Sequence, residues 1–161
     1  MKRIIQTIIC VTLLILPHYG FSQSGYLKAT SMDVNGVFIG GTYTKAQVEV
    51  KWGGTPTKYR SEMSEFGLDE EYYYATNLFR FSDNGIFHSF AIETSNFVVY
   101  TAFSGGIKVG DNISRIQSIG LGMPVLQSDG SYHLRRNNAT DPLEFEHSNG
   151  VITKISFMSS M

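Results

Sequence analysis

Leu78-Phe79-Arg80-Phe81-Ser82-Asp83-Asn84-Gly85-Ile86-Phe87-His88-Ser89-Phe90-Ala91-Ile92 decides how this chain reads. Two runs rich in aromatic and β-branched residues flank Asn84-Gly85. Asn-Gly suits a type I′ hairpin turn, because both central residues of that turn need positive φ. The plan recurs in Leu143-Glu144-Phe145-Glu146-His147-Ser148-Asn149-Gly150-Val151-Ile152-Thr153-Lys154-Ile155-Ser156-Phe157. On strict alternation Ile86, His88, Phe90 and Ile92 face one way, as do Val151, Thr153, Ile155 and Phe157. His88 is therefore expected on the packed face of its strand.

Upstream of each hairpin stands a second shared pattern. Setting Pro56 against Pro124 aligns Gly54 with Gly122, Val48 with Ile116 and Thr44 with Asn112. Thr44 and Asn112 are both good N-cap residues, since a short side-chain oxygen can accept a free amide of the first turn. Thr44 and Gln47 stand at capping-box spacing, and Val48 and Trp52 lie four apart on one face. Ile113, Ile116 and Gly120 trace the matching stripe, with Asp111 a rival cap. Each copy reads as a short helix closed by glycine before proline, too short to persist without an apolar surface beneath it. The first strand extends back through Tyr72-Tyr73-Tyr74, with Ser131 to Arg135 as counterpart. The expected fold class is α+β, built as two tandem repeats. Each repeat, over 37–101 and 102–161, packs a short helix or helical pair on an antiparallel sheet. A polar segment, 23–36, precedes them and contains the turn Asp33-Val34-Asn35-Gly36.

The amino end reads as an address. Met1-Lys2-Arg3 is basic, Ile4 to Leu16 is apolar, and Gly20 and Ser22 occupy the −3 and −1 places for cleavage before Gln23, so 1–22 is expected to be a secretory signal peptide. The apolar run is shorter than the ~20 residues a membrane span requires. Cys10 lies mid-run behind Ile9, which is not a lipidation site, and no stable membrane anchor is expected after cleavage. The full chain has 161 residues, 13 Lys+Arg against 14 Asp+Glu and one Cys. Losing Lys2, Arg3 and Cys10 leaves 11 basic residues against 14 acidic ones, a net charge of −3, and no thiol. That balance gives no electrostatic case for nucleic acid, and the chain must hold together by packing rather than disulfides.

The pattern Gly-x-Thr-x-x-x-Val-x-x-x-x-Gly-x-Pro, followed by aromatic strands and an Asn-Gly hairpin, resembles the SmpA/OmlA superfamily. That group includes BamE-like lipoproteins and the related β-lactamase inhibitor (BLIP) proteins. The matching residues are Gly41, Thr44, Val48, Gly53 or Gly54, Pro56, Tyr72 to Tyr74, Asn84 and Gly85. Gly110, Asn112, Ile116, Gly122, Pro124, Asn149 and Gly150 form a looser second match. The resemblance covers most of 37–158 and implies a tandem helix-on-sheet fold that binds other proteins. BamE-like proteins are single-copy and lipid-anchored and the inhibitors carry disulfides, so this chain departs from both.

Catalysis needs a nucleophile or base, an orienting group and stabilisation of developing charge. His88, His133 and His147 have no partner at metal-ligand spacing, and there is no Gly-x-Ser-x-Gly elbow or phosphate loop. No catalytic, cofactor-binding or metal residue is therefore assigned, and no enzyme activity is expected. Glu62, Glu65, Asp69, Glu70 and Glu71 lack calcium-loop spacing and read as a solvated acidic loop. Tyr is a favoured interface anchor, combining apolar area with a hydroxyl. The expected contact surface is therefore Glu65, Phe66, Asp69, Glu70, Glu71, Tyr72 and Tyr74, on the outer face of the first sheet. Trp52 is expected in the core. The function expected is an exported, periplasmic or secreted protein-binding module of the bacterial envelope. Its partner would be an envelope component or, for an inhibitor or immunity protein, a secreted enzyme. A small periplasmic hydrolase would instead require a polar pocket where His133 or His147 meets a carboxylate.

Overall fold

The computed structural model describes residues 26–27, 32–64, 67–101, 104–119, 124–136 and 142–159. The signal-peptide reading falls outside them. Strands make up 55% of the structure and helical turns 12%, so the chain is mostly β, not the α+β fold expected. The strands are β1 Tyr26–Leu27, β2 Met32–Val34, β3 Val37–Phe38, β4 Lys58–Ser64, β5 Gly67–Tyr74, β6 Asn77–Ser82 and β7 Phe87–Ile92. Then follow β8 Val99–Thr101, β9 Ser104–Ile107, β10 Val125–Leu126, β11 Tyr132–Arg136, β12 Pro142–Ser148 and β13 Val151–Met158. One α-helix, α1, spans Lys45–Trp52, and a 3-10 helix spans Ile113–Ile119.

A nine-stranded sheet runs β4-β5-β6-β7-β13-β12-β11-β1, with β10 also on β11. All its pairings are antiparallel except β1 with β11. The two hairpins seen in the sequence join through β7 and β13, with Ile155 opposite Ile92 and Phe157 opposite Phe90. Read outward from that seam, β7-β6-β5 on one side mirrors β13-β12-β11 on the other. The loop before each helical segment is tied to its hairpin by the same backbone bonds. The amides of Gly40 and Tyr43 donate to Phe87 and Gly85, as those of Gly110 and Ile113 donate to Ile152 and Gly150. These bonds set Tyr43 opposite Ile113, two residues away from the register that aligning the prolines implies.

The expected second helix forms only 3-10 turns. Ile113, Ile116 and Ile119 recur every third residue, the spacing that stacks along a three-residue turn, and β-branched residues add no α-preference. The Asn112 side chain accepts from the Ser114 amide 2.9 Å away, a tight local turn rather than an α-helical cap. In the first half the capping box forms as expected: Thr44 accepts from the Gln47 amide and Gln47 accepts from the Thr44 amide. Gly53 closes α1 in the left-handed conformation (φ 79°).

The layer opposite the large sheet is mainly a second sheet, β3-β2-β8-β9. It comes from the segment read as a polar start and from the boundary between the expected repeats. Met32, Val34, Val99 and Ile107 are buried from it, joined by Val48 of α1 and Ile116 of the 3-10 helix. Trp52 is the hub. Its ring centroid lies 4.2–6.1 Å from those of Tyr74, Phe79, Phe81, Phe87 and Phe97, and its indole N–H donates to the Val34 carbonyl at 2.9 Å. Among the described residues no helix is long and apolar enough to cross a membrane.

Candidate functional site

The stretch read as an acidic loop is instead the β4–β5 hairpin, in which Arg60 stands opposite Glu71 and Glu62 opposite Asp69. Alternation along β5 divides the expected contact surface between two faces. Tyr72 and Tyr74 turn toward the core. Tyr72 is buried with its ring 4.9 Å from that of Phe81, and the Tyr74 ring lies 5.5 Å from Trp52. The Tyr74 hydroxyl donates to the Gly54 carbonyl at 3.0 Å, and burial pushes its pKa up to about 12, with Glu49 adding to the effect. Glu70 shares this side and accepts from the Tyr72 hydroxyl at 2.8 Å. Asp69 and Glu71 are buried on the other face. Buried side chains make poor first contacts for a partner, so Asp69, Glu71 and Tyr72 do not form the exposed patch expected of them. Glu65 and Phe66 lie outside the described residues.

What the outer face does present is built around Glu71. Glu71 is 2% exposed, yet its carboxylate accepts from Arg60 (2.6 Å), Arg80 (2.8 Å) and the Tyr73 hydroxyl (2.9 Å). Burial pushes the carboxyl pKa up, but the hydrogen bonds from Arg80, Arg60 and Tyr73 outweigh it and hold the group below its ordinary value. Arg60 and Lys58 also lie over the Tyr73 ring, at 5.9 and 5.1 Å from its centroid. Tyr73, flanked in sequence by the two tyrosines named beforehand, is the ring that faces outward. Strand parity could have identified it once Arg60 was set opposite Glu71.

Beside this clamp a bulge interrupts the alternation of β7: Phe81 pairs with Phe87, but Arg80 pairs with Ser89. His88 is therefore buried away from Phe90, with Nε2 3.3 Å from Asp69 and Nδ1 2.6 Å from the Ser89 hydroxyl. Hydroxyl and carboxylate on opposite ring nitrogens is the arrangement of nucleophilic triads. Here Ser89 and His88 are each 5% exposed and Asp69 6%, which denies a substrate carbonyl access to the hydroxyl. Burial lowers the His88 pKa, and the nearby Asp69 offsets part of that effect.

A second polar cluster lies in the other half. Ser131 donates to Asp129 at 2.8 Å and sits 3.1 Å from His133 Nε2, which is 3.4 Å from Glu144. Hydrogen bonds from Ser131 hold Asp129 below its ordinary pKa. An adjoining cavity of about 660 Å³ is lined by Asp129, Ser131, Glu144, Glu146 and His147, so acids and imidazole do share a cleft here. Serine and glutamate nevertheless meet the same ring nitrogen of His133, which cannot accept from one while oriented by the other. Among the described residues no group of acids and histidines could hold a metal ion. No family model, curated protein or solved structure matches the chain.

Proposed function

We propose that this chain is an exported protein-binding module whose contact surface is the outer face of β4–β6, centred on Tyr73, Arg60 and Arg80. One observation carries the reading: a single buried carboxylate, Glu71, holds two arginines and a tyrosine hydroxyl in fixed positions on that face. Arg and Tyr are the side chains that most often dominate binding energy at interfaces. A flexible arginine loses rotamer freedom on association, and one already held by a buried carboxylate has less to lose. Arg60 and Arg80 keep 40% and 31% of their side chains exposed, so the clamp orients them without withdrawing them from solvent. The SmpA/OmlA-like motif points to the same class of function, and the basic-apolar-small order of Met1 to Ser22 supports export to the periplasm or beyond.

The partner is an envelope protein or, if the chain is an inhibitor or immunity protein, one secreted enzyme bound tightly. A photo-cross-linking side chain placed at position 73 tests the surface, with one at the solvent-exposed Val50 of α1 as control. Capture of a specific protein from Tyr73 but not from Val50 is expected. No capture at 73, or the same capture at both positions, removes this face from consideration.

A further inference from the structure

We propose that the pocket between the amino end of α1 and the β4–β5 hairpin binds an alkylammonium group. The pocket encloses about 410 Å³, and its lining includes Tyr43, Lys45, Tyr59, Glu70, Tyr72 and Asp83. Aromatic faces beside a carboxylate attract an organic cation through the ring quadrupole and through direct charge. The molecule already contains one such contact, since the Lys45 ammonium lies 5.2 Å from the centre of the Tyr59 ring. That ammonium also reaches Glu49 at 3.8 Å, so it can turn toward the helix and leave the ring to a ligand.

Charge sets the sign of the ligand. Two carboxylates, Glu70 and Asp83, share the pocket with one ammonium. Among the described residues no cation pairs with Glu70, whose hydrogen-bond partners are the neutral hydroxyls of Tyr72 and Tyr59. Burial, and then the nearby Glu70, raise the pKa of Tyr59 and Tyr72, so both hydroxyls stay neutral. An anion has little to bind here. Of the amides that a helix amino end would offer it, those of Thr44 and Gln47 are taken by the capping box. Tyr59 is 45% exposed, which gives a ligand entry from solvent. The pocket opens on the α1 side of the sheet, so it stands independently of the outer-face reading.

Two sources present this group, a free small amine or a lysine side chain. The intact protein would be titrated calorimetrically with n-butylammonium chloride, with an acetyl-Gly-Lys-Gly-amide peptide and with n-butanol as uncharged control. Saturable binding of both cations and none of butanol is expected. Glu70→Gln should weaken binding at least tenfold, and Lys45→Ala should strengthen it severalfold by freeing the Tyr59 ring. A peptide that binds more than tenfold tighter than butylammonium assigns the site to lysine side chains, whereas equal affinities assign it to small amines. Absence of saturable binding in both the wild type and a folded Lys45→Ala variant overturns the proposal. So does equal binding of butanol and butylammonium, a comparison that needs no variant.

Discussion

Gly85 and Gly150 close the same Asn-Gly dipeptide under different constraints. Asn149 and Gly150 both have positive φ and join Ser148 to Val151 in the two-residue turn expected. In the first hairpin only Gly85 does, and its amide bonds to Ser82, making a type I turn followed by a bulge residue. A Cβ on Gly85 would collide with the Tyr43 carbonyl, while one on Gly150 meets open space. Gly150→Ala should therefore cost about 1 kcal/mol, the strain of a left-handed alanine. Gly85→Ala should cost about 3 kcal/mol because the tie to the preceding loop must also shift. Urea midpoints of the two variants would show the difference. Glu71→Gln should cost about 2–3 kcal/mol, below the usual 3–5 for breaking a buried pair because the arginines reach water. Its thermal midpoint would fall even at neutral pH.

His88 adds a pH dependence of definite sign. Burial sets its folded pKa below the ordinary value of 6.5, so the unfolded chain takes up more protons as pH falls through that region. The stability that comes from keeping His88 neutral is complete above 6.5 and lost as pH drops toward the folded value. Unfolding free energy measured between about pH 7.5 and pH 5 should decline, and His88→Gln should flatten the slope. A wild-type slope unchanged by that substitution would assign the dependence to other groups. Glu71 acts lower, because its depressed pKa withdraws stability only as pH falls below the usual carboxylate range.

At the scale of elements, what could be read depended on length. The capping box, the glycine stop and the Val48–Trp52 face of α1 follow from local chemistry, and all are present. Proline alignment implies a second α-helix, whereas the isoleucine spacing of three favours the tighter turns that form. The β4–β5 hairpin hid behind its carboxylates: Glu62 and Asp69 are cross-strand neighbours and do not line a solvated loop. Strands of two to four residues, such as β2, β3, β8 and β9, are too short to show alternation, so the second sheet left no periodic signal. Helix α1 has eight residues and leans on its anchor. Trp52→Ala should cost about 4 kcal/mol through the lost ring contacts and the unpaired Val34 carbonyl. Circular dichroism with denaturant would register this as an earlier transition.

At the scale of the molecule, each hairpin was legible from its long strands around Asn-Gly. The bulges that break strict alternation were not, and the one in the second hairpin buries Ile152 and leaves the expected Val151 and Thr153 outside. Nor was the joining of the two hairpins. Pairing of β7 with β13 links residues more than sixty positions apart, and nothing local in Phe90 or Phe157 specifies the other. That seam makes the halves interdependent. Ile92, Phe90, Ile155 and Phe157 are all nearly inaccessible to solvent in the intact chain, and separating the halves would uncover them along two open strand edges. The segment 23–101 produced alone should therefore aggregate or remain unfolded. Light scattering and circular dichroism would check this, and a soluble, cooperatively melting fragment would contradict it.

The strand at the middle of the large sheet is also the one synthesised latest among those described. A chain lengthening from its amino end can form the early hairpins, but it cannot complete the sheet until β13 has been made. Slow, long-range closure of this kind leaves the polypeptide threadable for most of its synthesis. Under the proposed export, that order of events would let the chain pass a narrow channel before it takes its final shape.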